Sequence, residues 1–149
     1  MKNLMKTDLI AKAQVTIQAT PDEVWDALTN PQKIKQYMFD ADVESDFKKG
    51  SKIVFTGEWD GNPFEEKGTI LDAQPGRLLK YNSYNAQSEK PDTEENYHII
   101  SIELGQKGED VFVVLTQDNN DSEEMAEQSS QNWEMMLEKL KQVVEENRY

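Results

Sequence analysis

The fold is decided by residues 121–146, DSEEMAEQSSQNWEMMLEKLKQVVEE. Asp121, with Glu124 three residues later, can cap a helix at the start of this stretch, and the acidic first turn suits the helix dipole. A helix of about 24 residues is ~36 Å long. The stretch therefore predicts one long C-terminal helix whose apolar face must be covered by another layer. That face carries Met125, Trp133, Met136, Leu137, Leu140, Val143 and Val144 at helical spacing.

The N-terminal part of the chain predicts one strand and two short helices. Apolar and polar residues alternate over residues 11–19, as in a half-buried strand. Residues 20–23, TPDE, combine a capping box with proline at the first helical position, so a helix begins there. The pair Asn30-Pro31 ends this helix and caps a second one.

Residues 39–118 predict a run of antiparallel strands. Turn signals at Asp60-Gly61 and Pro75-Gly76 separate the first strands, and residues 105–108 join the last pair. Such short connections favour an antiparallel meander. A curved sheet needs cover on its inner face, and only the C-terminal helix is long enough to provide it. The predicted fold class is therefore α+β, with a curved sheet around the long helix and two short helices after the first strand.

The composition is that of one acidic domain. The 149 residues include 16 basic and 29 acidic side chains, for a formal net charge of -13. A chain of this length buries a sizeable core, so we expect a single domain over residues 1–149, with residues 1–8 as a candidate flexible N-terminus. The negative field repels phosphate backbones and anionic lipid surfaces, and no basic cluster opposes it. We therefore expect no nucleic-acid partner.

The chain lacks the residues that several kinds of site require. It has no cysteine and one histidine, His98, which excludes a disulfide framework, a cysteine nucleophile and a metal site with paired imidazoles. The longest apolar run near the N-terminus, residues 9–11, is too short for a signal peptide or a membrane span. We expect a cytoplasmic protein with no membrane insertion, no metal and no tightly bound cofactor, and we favour a monomer.

Three segments, in their order and spacing, resemble one superfamily. They are residues 19–37 (ATPDEVWDALTNPQKIKQY), residues 57–79 (GEWDGNPFEEKGTILDAQPGRLL) and residues 113–140, which end in NWEMMLEKL. Together they resemble the START-related helix-grip superfamily (SRPBCC), which includes the birch-pollen-allergen-like proteins. Within that superfamily they resemble the activator of heat-shock-protein ATPase homologue-like branch.

This resemblance implies about seven antiparallel strands wrapped around the C-terminal helix, with a cavity between them. It does not imply one chemistry, since members bind lipids, sterols and flavonoid-like or polyketide-like molecules, and some catalyse cyclisation. The eukaryotic namesake stimulates a chaperone ATPase and carries a separate N-terminal chaperone-binding domain. We expect no such domain here, so a chaperone partner is kept only as an alternative.

Candidate catalytic groups are few. Glu65 and Glu66 are adjacent, so in a strand they point to opposite faces and cannot act as a pair on one substrate. The alternating acidic residues of 40–46 share a face, which is typical of a solvated strand. His98 would need an orienting partner to act as a base, and the sequence identifies none. We assign no catalytic residue and favour a binding protein over an enzyme.

Aromatic and methionine side chains mark the candidate ligand site, because together they make an adaptable apolar lining. Tyrosine and serine hydroxyls add hydrogen-bonding tips that fix a ligand's orientation. Each residue taken singly could instead be core packing. The inward face of residues 99–104 is left open, because apolar residues occupy both faces. The predicted cavity residues are Phe55, Trp59, Phe64, Tyr81, Tyr97, Ser129, Trp133 and Met136.

The leading functional hypothesis is a protein that holds a small apolar ligand, lipid-like or aromatic and polyketide-like, between sheet and helix. The first alternative is a cyclase-like or hydrolase-like enzyme on a polyketide-type substrate, in which tyrosines or His98 transfer protons. That alternative needs a titrating side chain inside the cavity. The second alternative is a chaperone-interacting module that uses its acidic surface and keeps the cavity only as core.

Overall fold

The computed structural model describes residues 9–59 and 61–146, with the backbone alone for Trp59. The candidate flexible N-terminus, residues 1–8, lies outside this part of the chain. A short 3-10 turn, Glu94–Asn96, precedes the sixth strand. The helices and strands are β1 (Ala11–Ile17), α1 (Pro21–Thr29), α2 (Pro31–Tyr37), β2 (Asp42–Ser45), β3 (Lys52–Trp59), β4 (Asn62–Gln74), β5 (Leu78–Asn85), β6 (His98–Lys107), β7 (Asp110–Gln117) and α3 (Glu123–Glu146).

The seven strands form one open, curved antiparallel sheet, which confirms the predicted α+β helix-grip fold. The strand order is β1-β7-β6-β5-β4-β3-β2, so β1 and β2 are the two edges. Every pair of neighbouring strands is antiparallel. Helix α3 packs against β1, α1 and α2, and it buries Met136, Leu137, Leu140 and Val144.

The predicted start of each short helix is confirmed by its hydrogen bonds. In α1 the Glu23 amide donates to Thr20 Oγ1 at 3.2 Å, and the Thr20 amide donates to Glu23 Oε1 at 3.1 Å. In α2 the Gln32 amide donates to Asn30 Oδ1 at 3.0 Å. These caps satisfy amides that would otherwise lack a partner at a helix start, and they fix α1 and α2 beside the sheet.

Two local predictions are wrong. The side chain that caps α3 is Ser122, whose Oγ accepts from the Met125 amide at 3.1 Å, one residue after the predicted Asp121. Asp121 instead pairs with Lys90. Residues 105–107 belong to β6 and not to a loop, because the chain reverses at Gly108, where φ is +65°. Glycine adopts that left-handed conformation without steric cost.

We define the inner face of the sheet as the face that carries Ile53, Phe55, Leu79, Tyr81, Ile100 and Ile102, all of which are buried. The open question about residues 99–104 is answered by burial. Ile100, Ile102 and Leu104 are buried in the core, whereas Ile99 is 37% exposed. Even-numbered positions of β6 therefore point inward, and this places His98 at the end of the same inward row.

Candidate functional site

A small cavity lies between the inner face, the two short helices and α3. Its volume is about 20 Å³, which is room for one water molecule and far below the roughly 300–1,000 Å³ of most ligand pockets. Three of the predicted cavity residues line it: Phe55, Tyr81 and Met136. The other lining residues are Leu28, Ile34, Tyr37, Met38, Phe47, Ile53, Leu79 and Ile102.

Beside this cavity the inner face becomes polar. Ser83 lies directly opposite His98 across β5 and β6, and Glu66 lies directly opposite Phe55 across β3 and β4. The Phe55 ring is 6.0 Å from the Tyr81 ring, centroid to centroid. Directly opposed residues project from the same face of a sheet, so all of these side chains share the inner face. We call Glu66, Tyr81, Ser83 and His98 the polar patch.

Two hydroxyls of the polar patch have no hydrogen-bond partner among the described residues. Tyr81 is 4% exposed and Ser83 is 6% exposed, and neither side chain forms a hydrogen bond with any residue that the structure describes. Every sealed side-chain nitrogen or oxygen in that part of the chain has a partner, so both hydroxyls must reach open space. Unpaired polar groups at such burial are uncommon in native interiors. Both hydroxyls lie on the inner face, toward the space between the sheet and α3, which we call the groove.

Glu66 is the acidic member of the polar patch and is half-buried. Burial raises the pKa of its carboxyl above the usual range, and the nearby His98 lowers that pKa. Burial, followed by the Glu66 carboxylate, raises the pKa of Tyr81. These effects show that Glu66 is within electrostatic reach of both side chains. A ligand that donates a hydrogen bond here would stabilise the ionised carboxyl.

The imidazole of His98 is oriented by the main chain. Its Nδ1 lies 2.9 Å from the carbonyl oxygen of Asp118, and a carbonyl oxygen can only accept, so Nδ1 carries the hydrogen. In the neutral ring Nε2 is then an acceptor, and within the described chain it has no hydrogen-bond partner. The orienting partner that the sequence does not identify is therefore a backbone carbonyl.

Helix α3 contributes the opposite wall. Met136 is 3% exposed and reaches the cavity. Trp133 is half-buried against the core, and its indole N–H donates to Gln117 Oε1. Gln117 is paired with Ile100, so the indole is held at the inner face, three residues before Met136 in the helix and outside the cavity lining. Ser129, also half-buried, lies one helical turn before Trp133.

The remaining predicted residues differ in position. The ring of Phe64 lies against Gly57 on the inner face, because a Cβ added at Gly57 would be 2.9 Å from that ring. The side chain of Trp59 is outside the described part of the structure. Phe64 is therefore near the polar patch without lining the cavity.

Tyr97 lies apart from the other candidates. It precedes β6, and its ring stacks on Tyr84 with centroids 5.4 Å apart. Its hydroxyl donates to Asp92 Oδ1 at 2.6 Å. Tyr84 pairs with Lys67, which follows Glu66 in the strand and so points to the outer face. The structure thus places Tyr97 with a cluster on the outer face of the sheet.

Sequence reasoning missed Glu66 and Ser83 as site residues. The signal for Glu66 was present, because Phe64, Glu66 and Ile70 occupy alternate positions of one strand and two of them are apolar. Ser83 follows the same rule, since it continues the row of Leu79 and Tyr81. A polar residue that continues an apolar row points inward.

The described residues contain no cluster of three or more histidine, cysteine, aspartate or glutamate side chains that could hold a metal ion. In the same ranges, none of the helices has the length and apolar character needed to cross a membrane.

A protein-family model described as Activator of Hsp90 ATPase homolog 1-like protein matches residues 18–145. The chain belongs to this family. The solution structure of ChR145, from Cytophaga hutchinsonii, is 45% identical in sequence to the chain. That match covers 96% of the chain and 98% of ChR145, with a TM-score of 0.83. No protein of curated function matches the chain.

More distant structures share the fold of this family member. The Aha1 dimer from Colwellia psychrerythraea is 20% identical, with 91% of this chain and 95% of that chain covered and a TM-score of 0.69. DynU16, a protein of the dynemicin biosynthetic locus, is 18% identical, with a TM-score of 0.75. That match covers 93% of this chain and 48% of DynU16. At these identities the likeness concerns the fold alone.

Proposed function

We propose that this family member is a cytoplasmic binding protein that holds a small apolar ligand, lipid-like or aromatic, between the inner face and α3. The observation that carries the proposal is the junction of an apolar cavity with two deeply buried hydroxyls, Tyr81 and Ser83, that form no hydrogen bond with the described residues. Ligand pockets are mostly apolar and use a few placed polar groups to orient the ligand. The presence of DynU16, from a biosynthetic locus, among the proteins of this fold is consistent with small-molecule binding.

Binding requires the cavity to widen, and the chain beside it is suited to that change. We call residues 38–51, which connect α2 to β3 and include the edge strand β2, the strap. Phe39, Asp40 and Phe47 in the strap have φ values of 52°, 60° and 53°, which are strained for residues other than glycine. Met38 and Phe47 line the cavity. Movement of the strap would therefore enlarge the space.

An NMR titration with flavone and with decanol tests the proposal. A ligand in the groove should shift the Trp133 indole N–H and the Met136 methyl signal in a saturable way. The methyl signal of Met135, a side chain that is 58% exposed, is the internal control. Absence of saturable shifts with every compound, or shifts confined to Met135, would contradict the proposal.

A pair of variants locates the binding within the protein. Met136→Trp fills the cavity, so it should weaken binding at least about tenfold while costing about 1–3 kcal/mol of stability. Met135→Trp adds the same ring at a position that is 58% exposed, and it should leave the affinity unchanged. Equal losses of affinity in both variants would place the ligand elsewhere.

A second candidate function, catalysis on the bound molecule, is favoured by one observation. Glu66 is a titrating carboxyl on the inner face, within electrostatic reach of His98 and Tyr81. Its burial raises its pKa, as in side chains that act as general acids. Mass spectrometry of a bound polyketide-type compound, before and after incubation, separates the two functions. A carrier returns the compound unchanged, whereas an enzyme returns a product whose formation is lost in Glu66→Gln.

A further inference from the structure

We infer that the group of the ligand that lies beside Glu66 is a hydrogen-bond donor, such as a phenolic or alcoholic hydroxyl, and that the groove rejects carboxylates. The inference rests on the proposed function, since it assumes that a ligand occupies this groove. The inference specifies the polar group of the ligand, which the apolar cavity alone does not determine.

The first argument is the excess of acceptors in the polar patch. An ionised Glu66 can only accept hydrogen bonds. His98 Nε2 is also an acceptor in the neutral ring, because Nδ1 donates to the Asp118 carbonyl. The hydroxyls of Tyr81 and Ser83 can donate or accept. With two acceptors that find no donor in the described protein, the complementary ligand group is one that donates.

The second argument is that the described inner face has no lysine or arginine to receive an anionic head group. Along the described parts of β3 to β7, the inward positions hold no lysine or arginine. The lysine next to Glu66, Lys67, points outward and pairs with Asp92 at 2.5 Å. On α3, the Lys141 ammonium donates to the Thr16 carbonyl oxygen at 3.1 Å. A buried carboxylate ligand would therefore compete with Glu66 for the charge of His98, which already interacts with Glu66, and two carboxylates that share one partner repel each other.

The third argument is the field of the whole protein. The formal net charge of -13 lowers the local concentration of anions around the molecule. A neutral ligand is not subject to this repulsion. Both the local and the long-range electrostatics thus disfavour fatty-acid-like ligands and favour neutral hydroxylated ones.

Three probes with one apolar body test the inference: naphthalene, 2-naphthol and 2-naphthoate, titrated at neutral pH against the Trp133 indole and Met136 methyl signals. We expect 2-naphthol to bind about tenfold more tightly than naphthalene, because it adds a hydrogen bond to a charged acceptor. We expect 2-naphthoate to bind at least about tenfold more weakly than 2-naphthol.

The variant Glu66→Gln keeps the size of the side chain and removes its charge. It should bring the affinities of 2-naphthol and 2-naphthoate to within about threefold of each other, since the repulsion of the anion disappears. Glu65→Gln is the matched control, because this substitution removes the same charge at the neighbouring position, which is exposed. It should leave the selectivity of the natural chain unchanged.

The outcomes separate the inference from the function beneath it. If no probe moves the two signals, the groove binds no such ligand and both proposals fail. If all three probes bind equally well, or if Glu65→Gln changes selectivity as much as Glu66→Gln, the groove binds ligands but the role assigned to Glu66 is wrong. The comparison of probes on the natural chain needs no variant, so it stands even if a substitution disturbs folding.

Discussion

Glu66 destabilises the folded protein and, in the proposed function, helps to bind the ligand. Its carboxyl sits on the inner face opposite Phe55 and close to the buried phenol of Tyr81. An ionised carboxyl in such surroundings loses hydration that the protein does not replace. His98 compensates in part, since its interaction lowers the pKa that burial raises. A residue that destabilises the ligand-free protein but can accept a hydrogen bond from a ligand is typical of a binding site.

This cost predicts how stability depends on pH. Because the pKa of Glu66 is raised in the folded state, the folded protein holds this proton more tightly than the unfolded chain does. The stability that this proton contributes is fully present below the pKa of Glu66 in the unfolded chain, about 4.3. It is lost as the pH rises through the pKa of Glu66 in the folded protein. Glu66→Gln should therefore gain stability relative to the natural chain as the pH rises through that window.

Urea unfolding at several pH values measures the effect. His98 and Tyr81, the titratable groups that interact with Glu66 in the fold, are unchanged in the variant. Glu65→Gln should show no comparable pH-dependent gain, because Glu65 is exposed. A difference between Glu66→Gln and the natural chain that stays constant with pH would contradict the account of Glu66 as a carboxyl whose pKa is raised in the fold.

At the level of elements, α3 contributes a row of large apolar side chains to the core. Met136, Leu137, Leu140 and Val144 are all buried, and each such side chain contributes about 1.5–3 kcal/mol on burial. Together they amount to about 6–12 kcal/mol, which is comparable with the whole stability of a domain, about 5–15 kcal/mol. Without this helix, the inner face of the sheet would be exposed to solvent.

Ending the chain at residue 120 should therefore abolish cooperative unfolding. Thermal unfolding followed by near-ultraviolet circular dichroism measures this directly. The control ends the chain at residue 146, which keeps the whole of α3, and it should unfold as the natural chain does. A single sharp transition in the shorter chain, with its near-ultraviolet spectrum retained, would show that α3 is not integral to the fold.

Local sequence signals predict helices and strands well, but they predict contacts between distant side chains poorly. The cap residues Thr20 and Asn30 act through neighbours two or three residues away, so they are readable from the sequence. Tyr97 is different, because its position is set by Asp92, in the loop after β5, and by Tyr84, which lies in β5. The sequence shows an aromatic near a strand start, and only the folded loop determines that it lies on the outer face.

At the scale of the whole molecule, the order of the elements and the α+β helix-grip architecture are predictable, and the size of the cavity is not. Strand and helix periodicity determine which faces meet. The free space between those faces depends on how Met38, Phe47 and Met136 pack, and it is about 20 Å³. Side-chain packing at that resolution leaves no pattern in the sequence. The expected lack of nucleic-acid binding, drawn from the net charge of -13, stays a prediction.

The most direct measurement of the central claim is a set of intermolecular nuclear Overhauser effects between bound 2-naphthol and the methyl groups of the protein. If the ligand lies between sheet and helix, its protons should contact the methyls of Met136 and Ile53, which line the cavity. Ile99 and Met135, which are 37% and 58% exposed, are surface controls and should show no such effects. Effects confined to the two surface methyls at saturating ligand would contradict the account.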